Sequence, residues 1–217
     1  MEEKELSKYE QYSRMMKREF SQIQDYLREV NNSFIEKLGK LNIQVKEAPS
    51  EEMPAFAWNF YVGQIRYDGF KVIFHHSTFI SCYSVFEIKL KELCDIVAMQ
   101  KKCKFKIGDM GGNDIIKNCK KYLEKIADVD FSPLEKEWVQ IVHYQKTRNI
   151  IAHGLKLYVE KNTDSGLLKF WESNQFITND GDAFYISSER FVVEFTELAA
   201  LYLSSIAAVI DTEKSTS

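Results

Sequence analysis

Glycine and proline are both scarce in this chain of 217 residues, at nine and three. So little of either excludes collagen-like repeats and long disordered linkers. Cysteine is sparse too: Cys82, Cys94, Cys103 and Cys119. None forms a C-x-x-C pair and none has a histidine at metal-finger spacing, which argues against a zinc finger. Buried, reduced thiols are the expectation. Charge of one sign is also lacking. A net charge of -3 excludes a generally basic nucleic-acid coat, though not a local basic patch. No segment approaches the ~18 uninterrupted apolar residues of a membrane span. The first twenty residues, MEEKELSKYEQYSRMMKREF, are charged throughout and lack the apolar run of a signal peptide. A soluble, cytoplasmic protein with no membrane contact is expected.

What the chain does have is apolar content, 45% of its residues, enough for a sizeable core. Residues 3–38 read as a long charged helix whose buried stripe is Tyr12, Met15, Met16, Ile23, Tyr26, Leu27, Val30 and Phe34. Gly39 is the natural stop. Residues 42–68 hold Pro49, Pro54, Trp58 and further aromatics. They read as an irregular connection, with a short strand at FAWNFYVGQI. Ser77 is placed to cap a second helix through TFISCYSVFEIKLKELCDIVAMQ, with His75 and His76 before it in capping or surface positions. Asn113 opens a third. SPLE, from Ser132, has the form of a capping box with proline at the first helical position, and it starts a fourth helix that Gly154 ends. LKLYVE, GLLKFWES and AFYIS read as short strands, with a turn at NDGD. A last helix over residues 188–210 closes the chain. The expected fold class is mainly α: four or five helices with a small β-hairpin before the last. The expected organisation is an N-terminal helix and connection over residues 1–76, packed on a helical domain over residues 77–217.

The fourth helix carries the chemistry. One row of it reads Leu134, Trp138, Ile141, Gln145, Arg148, Ala152. The next reads Val139, Val142, Lys146, Asn149, His153. Both are apolar at first and polar at the end. A core-facing stripe loses its apolar character where it lines a cleft or meets a partner surface. Asn149 and His153 are four apart and share a face. Histidine both accepts and donates a proton near neutral pH. The plainer reading is also open: His153 bonded to the last carbonyls, Asn149 on the surface, Arg148 paired with a carboxylate.

TRNIIAHG at a helix end resembles the R-x4-6-H motif of the HEPN superfamily (higher eukaryotes and prokaryotes nucleotide-binding). WVQIVHYQKTRNIIAHG is similar to the motif helix of members related to ribonuclease toxins and abortive-infection proteins. FISCYSVFEIKLKELC is similar to their earlier helix, where Glu87 matches an acidic position. The likeness covers residues 77–210 and implies a HEPN-like bundle. It implies a metal-independent endoribonuclease of the toxin or phage-defence kind, or else a non-catalytic module that scaffolds an assembly or binds RNA or a nucleotide. In the first case His153 would move a proton, Arg148 would stabilise the charged phosphorane, and Asn149 would orient the phosphate or His153. Glu87 would hold Arg148, or be an ordinary solvent-facing carboxylate. One departure stands out. A tyrosine often lies two residues past the histidine in members paired with a nucleotidyltransferase antitoxin. Here that position is Leu155, so control by tyrosine modification does not carry over.

Between residues 101 and 125 eight lysines face three acidic residues, a surplus of five. From residue 158 onward four basic residues face ten acidic ones. The basic excess lies beside the motif helix in sequence and makes Lys117, Lys120, Lys121 and Lys146 the candidate RNA-binding residues. A solvated helix face explains it equally. No cofactor and no metal are implied. The expected partners are RNA, a second copy of the chain that completes the active site, and a neutralising antitoxin or regulator. Tyr144, Ile150 and Ile151 would pack around the cleft between the two copies.

Overall fold

The computed structural model describes residues 6–126, 128–154, 157–159, 163–181 and 183–214. The described residues are mainly α-helical. The helices are α1 (Lys8–Glu47), α2 (Met53–Gln100), α3 (Ile115–Ile126), α4 (Glu135–His153), α5 (Ser165–Ser173) and α6 (Arg190–Lys214). Strands β1 (Leu157–Tyr158), β2 (Ile177–Asn179) and β3 (Ala183–Ile186) form one antiparallel sheet in the order β1-β3-β2.

The largest departure from expectation lies between residues 39 and 77. There is no irregular connection and no strand there. α1 runs through Gly39 to Glu47, and α2 is already helical at Met53. Pro49 accepts from Glu52 N and Met53 N in the turn between them, at 2.9 Å each. Pro54 falls in the first turn of α2, where no helical N–H is required. A glycine inside a helix costs about 1 kcal/mol. Here packing on both sides of Gly39 offsets that cost. Phe34 meets Tyr67 and Phe74, and Tyr26 meets Phe74, with ring centroids 5.8–6.1 Å apart. Gly63 lets Leu41 approach so closely that a Cβ there would stand 2.7 Å from its Cδ1. Ser77 caps nothing; it sits inside α2 with its hydroxyl donating to Phe74 O at 3.1 Å. The expected division at residues 76 and 77 therefore falls inside an unbroken helix.

The chain divides into two compact units whose segments interleave: residues 1–21, 81–145 and 194–217, and residues 22–80 and 146–193. The first centres on Phe195, which stacks on Tyr83 at 5.4 Å and meets Phe86 and Tyr144 at 6.0 and 5.1 Å. Lys89 is buried there, with Nζ 2.9 Å from both Glu19 and Glu92, so its charge is compensated. Cys82, Cys94 and Cys119 are buried thiols, and Cys103 is half-buried. Burial pushes Cys82 up to about 12.

The second unit holds the α1–α2 hairpin, the sheet and α5. GLLKFWES is helix α5, not a strand. Asp164 caps it, accepting from Leu167 N at 2.9 Å. Of LKLYVE, Leu157 and Tyr158 are strand; Leu155, Lys156 and Glu160 lie outside the described residues. The NDGD turn forms as expected, with Asn179 Oδ1 accepting from Gly181 N at 2.8 Å and Gly181 at φ +98°. Asp182 is outside the described residues. The segment Arg190–Asp211 of α6 is long and apolar enough to cross a membrane by length and composition alone. Its Phe191, Phe195, Tyr202 and Ile206 are buried within the protein.

His75 and His76 are neither caps nor surface residues; both are 1% exposed in the second unit. His76 Nε2 accepts from Ile186 N at 3.0 Å. Burial holds the pKa of His75 below its ordinary 6.5, with Lys71 adding to this and the Ile186 backbone and Glu189 pulling the other way. The unfolded chain takes up a proton at His75 near the ordinary value, while the folded chain stays neutral. Stability from this source is therefore complete above that value and declines as pH falls through it toward the lower folded value. The melting temperature should drop between about pH 7.5 and about pH 5, and His75→Phe should flatten that slope. An equal slope in both proteins would assign the pH dependence to other groups.

Candidate functional site at the end of the fourth helix

α4 starts differently from the expected capping box. Ser132–Leu134 form a short 3-10 turn, and the cap position is Phe131, already in helical geometry. Ser132 makes no side-chain cap. Its N–H is itself bound, donating to Asp130 Oδ1 at 2.9 Å. The end of the helix is as expected: His153 is the last helical residue, and Gly154 N donates to Ile150 O and Ile151 O at 3.1 and 3.2 Å.

The buried face of α4 is Ile141, Tyr144, Thr147 and Ile151, each 4% exposed or less. It takes Ile141 from the first row, lies on the side of that row away from the second, and stays buried to the last turn. Tyr144 and Ile151 therefore belong to the protein's own core and are not free to line a cleft between copies. Ile150 is half-buried. Thr147 is the one polar member. Its Oγ1 accepts from Trp171 Nε1 at 2.9 Å, and the indole lies fully buried against Phe184, 5.6 Å between centroids. This contact anchors the last turns of α4 to α5. It was hidden in the sequence because Trp171 sat in a presumed strand; Asp164 followed by Ser-Gly-Leu was the available sign of a helix start.

Asn149 and His153 project from the remaining side, and Arg148 lies at the edge of the buried face. Arg148 is half-buried, and Asn149, Ala152 and His153 are exposed. Arg148 Nη1 donates to Asn149 Oδ1 at 2.9 Å. Lys146 belongs to the same unit and lies 2.9 Å from Asp164. Its ammonium and the Leu167 N–H hold the Asp164 carboxyl down at about 2. The helix end thus carries a permanent cation, an amide that it orients and an exposed imidazole. Among the described residues, no group of three or more His, Cys, Asp or Glu could hold a metal ion.

No family profile, curated protein or solved structure matches the chain. What the site can do follows from its own side chains.

The remaining candidates lie in the other unit. Glu87 is half-buried on α2. Lys117 pairs with Asp114 at 2.8 Å. Lys120 lies over the rings of Phe131 and Trp138, at 5.3 and 4.7 Å, and 3.3 Å from Glu135. Its side chain is only 16% exposed, so it works chiefly in packing. Lys121 is exposed and enters no recorded ion pair among the described residues. Of the eight lysines counted between residues 101 and 125, Lys101, Lys117 and Lys120 are thus engaged with carboxylates or rings of their own unit.

Proposed function

We propose that the chain is a metal-independent endoribonuclease of HEPN type, cytoplasmic and of the toxin or phage-defence kind. The supporting observation is the separation of faces on α4. Ile141, Tyr144, Thr147 and Ile151 carry the packing, Asn149 and His153 stand outside it, and Arg148 is half-buried at its edge. Residues not needed for the core are available for chemistry. In the proposed reaction the RNA 2'-oxygen attacks the adjacent phosphorus as its proton leaves. The phosphorus–5'-oxygen bond breaks, and the leaving oxygen takes up a proton. The products are a 2',3'-cyclic phosphate and a 5'-hydroxyl. Arg148 neutralises the charge gathering on the non-bridging oxygens. Asn149, held by Arg148, orients the phosphate. His153 accepts the first proton or supplies the second. One imidazole does not do both in the same instant, so the proposal includes a second copy of His153, brought by a homodimer.

The test is incubation of the full chain with total RNA in EDTA, followed by analysis of the ends. Cleavage that survives chelation and leaves 2',3'-cyclic phosphate is the expected result. Products with 3'-hydroxyl ends, or a strict need for Mg²⁺, would overturn the mechanism.

A second reading, a non-catalytic HEPN module acting as a dimerisation scaffold or an RNA- or nucleotide-binding protein, is favoured by a different observation. The N-terminal half of α2 exposes many large apolar side chains, among them Trp58, Tyr61 and Ile65. Intact RNA in the same assay, from a protein that binds RNA or self-associates, would select this reading.

A further inference from the structure

The first half of α2 is apolar on two opposite sides. Phe56, Phe60, Gly63, Tyr67 and Phe74 share the side whose Gly63, Tyr67 and Phe74 meet α1. Trp58, Tyr61, Val62, Ile65, Gly69 and Ile73 form the other, at helical spacing, and among the described residues nothing covers it. Trp58 is 64% exposed, Tyr61 55%, Val62 45%, Ile65 56% and Ile73 50%. A contiguous stripe of this kind is what a soluble surface rarely keeps open. Trp58 and Tyr61 alone offer roughly 250 Å² of it.

The stripe has a knob at one end and a hollow at the other. The knob is the Trp58 indole. The hollow is a cavity of about 630 Å³ where α2 passes the β2–β3 hairpin, lined by Gly69, Val72, Ile73 and Tyr185 with Asp68 and Asp180 among its polar groups. Its size falls in the range that admits a drug-sized ligand, roughly 300–1,000 Å³, so an indole fits. At Gly69 a side chain would meet nothing within 4 Å. Knob and hollow are eleven residues apart on one helix face, about 16 Å.

We infer that this face of α2 is an interface between two copies of the chain, paired antiparallel about a two-fold axis between Gly63 and Gln64. That axis sets Trp58 of each copy over Gly69 of the other and Val62 opposite Ile65. It also sets Arg66 opposite the Tyr61 ring, a favourable cation–π partner, and Asp68 opposite Asn59. No like charges meet along the helix between Met53 and Phe74. Self-complementarity of this sort is the requirement of an isologous contact. A tryptophan seated in a pocket is a typical dominant contact, and the two-fold axis supplies two of them. The stripe extends over residues 58–73, about 24 Å of helix, and Tyr185 and Ser187 at the rim of the hollow extend the contact beyond it.

The inference is independent of RNA cleavage, because its test reads mass. Light scattering of the full chain at tens of micromolar should give a dimer. Trp58→Ala should give a monomer with unchanged helicity, since the residue is exposed, and any fall in melting temperature should be no more than the lost association accounts for. Gly69→Leu should do the same by filling the hollow, with no clash inside its own chain. Gly39→Leu, at a second open helical glycine outside the stripe, should remain dimeric. A monomeric wild-type protein would overturn the inference. So would a dimer that survives both Trp58→Ala and Gly69→Leu, which would place the contact elsewhere, the end of α4 included. RNA cleavage by any of these proteins bears on the proposed activity alone.

Discussion

His153→Ala and Arg148→Ala are each expected to reduce RNA cleavage by at least ~100-fold, the usual contribution of a positioned proton carrier or a preorganised cation. The melting temperature of His153→Ala should stay within about 2 °C of wild type. Arg148 is half-buried with its Nε shielded from solvent, so Arg148→Ala should cost somewhat more; His153 is exposed, and its removal opens no core cavity. Substitutions at such positions typically shift stability by ~0.5 kcal/mol or less. Arg148→Lys separates charge from geometry. It keeps a cation but loses the planar fork that grips two phosphate oxygens and the bond to Asn149 Oδ1, so activity should fall well below wild type. Asn149→Ala should cost less than either. Full activity in the His153→Ala protein would refute the proton-transfer role. A large drop in its melting temperature would instead assign His153 a structural task at the helix terminus.

Trp171→Ala should show the opposite profile. The indole is fully buried, packs on Phe184 and donates to Thr147 inside the second unit. Removing it leaves a cavity and takes the indole donor from a buried hydroxyl. The expected loss is ~3–5 kcal/mol, which for a chain of this size corresponds to roughly 6–20 °C in melting temperature. Trp171→Phe should recover part of the packing but not the bond. Differential scanning calorimetry or denaturant titration measures both. A loss below about 1 kcal/mol for Trp171→Ala would mean that the site collapses around the gap, and that Thr147 does not depend on α5 for its place.

Much of the helical content was legible in local patterns. The last helix and the motif helix showed apolar residues at intervals of three and four, and Gly154 and the NDGD turn behaved as their chemistry requires. Residues 39–77 were not legible, for a physical reason. α2 is apolar on two sides there, so the contrast between wet and dry faces that marks an amphipathic helix is absent. Its aromatics and prolines then resemble a loop. Gly39 offers the opposite lesson. Its cost of about 1 kcal/mol is real, but the rings of Phe34, Tyr67 and Phe74 on one side and Leu41 against Gly63 on the other outweigh it. GLLKFWES was read by its β-favouring composition, yet an aspartate cap and the burial of Trp171 made it a helix.

The candidate site divides along the same line. The presence of Arg148, Asn149 and His153 on the last turns of one helix follows from sequence alone, because spacing on a helix is local geometry. Which of the helix's faces is buried does not follow from it. Both rows read as core-facing end in exposed residues, and the packed face, through Tyr144, Thr147 and Ile151, lies beside the first row on the side away from the second. Likewise the sequence shows a cluster of lysines, but only the folded arrangement gives Lys120 to two aromatic rings and Lys117 and Lys146 to carboxylates. Local pattern determines that a helix forms and what it carries. The choice of face and the pairing of charges depend on residues far apart in the chain, and only tertiary packing brings them within reach.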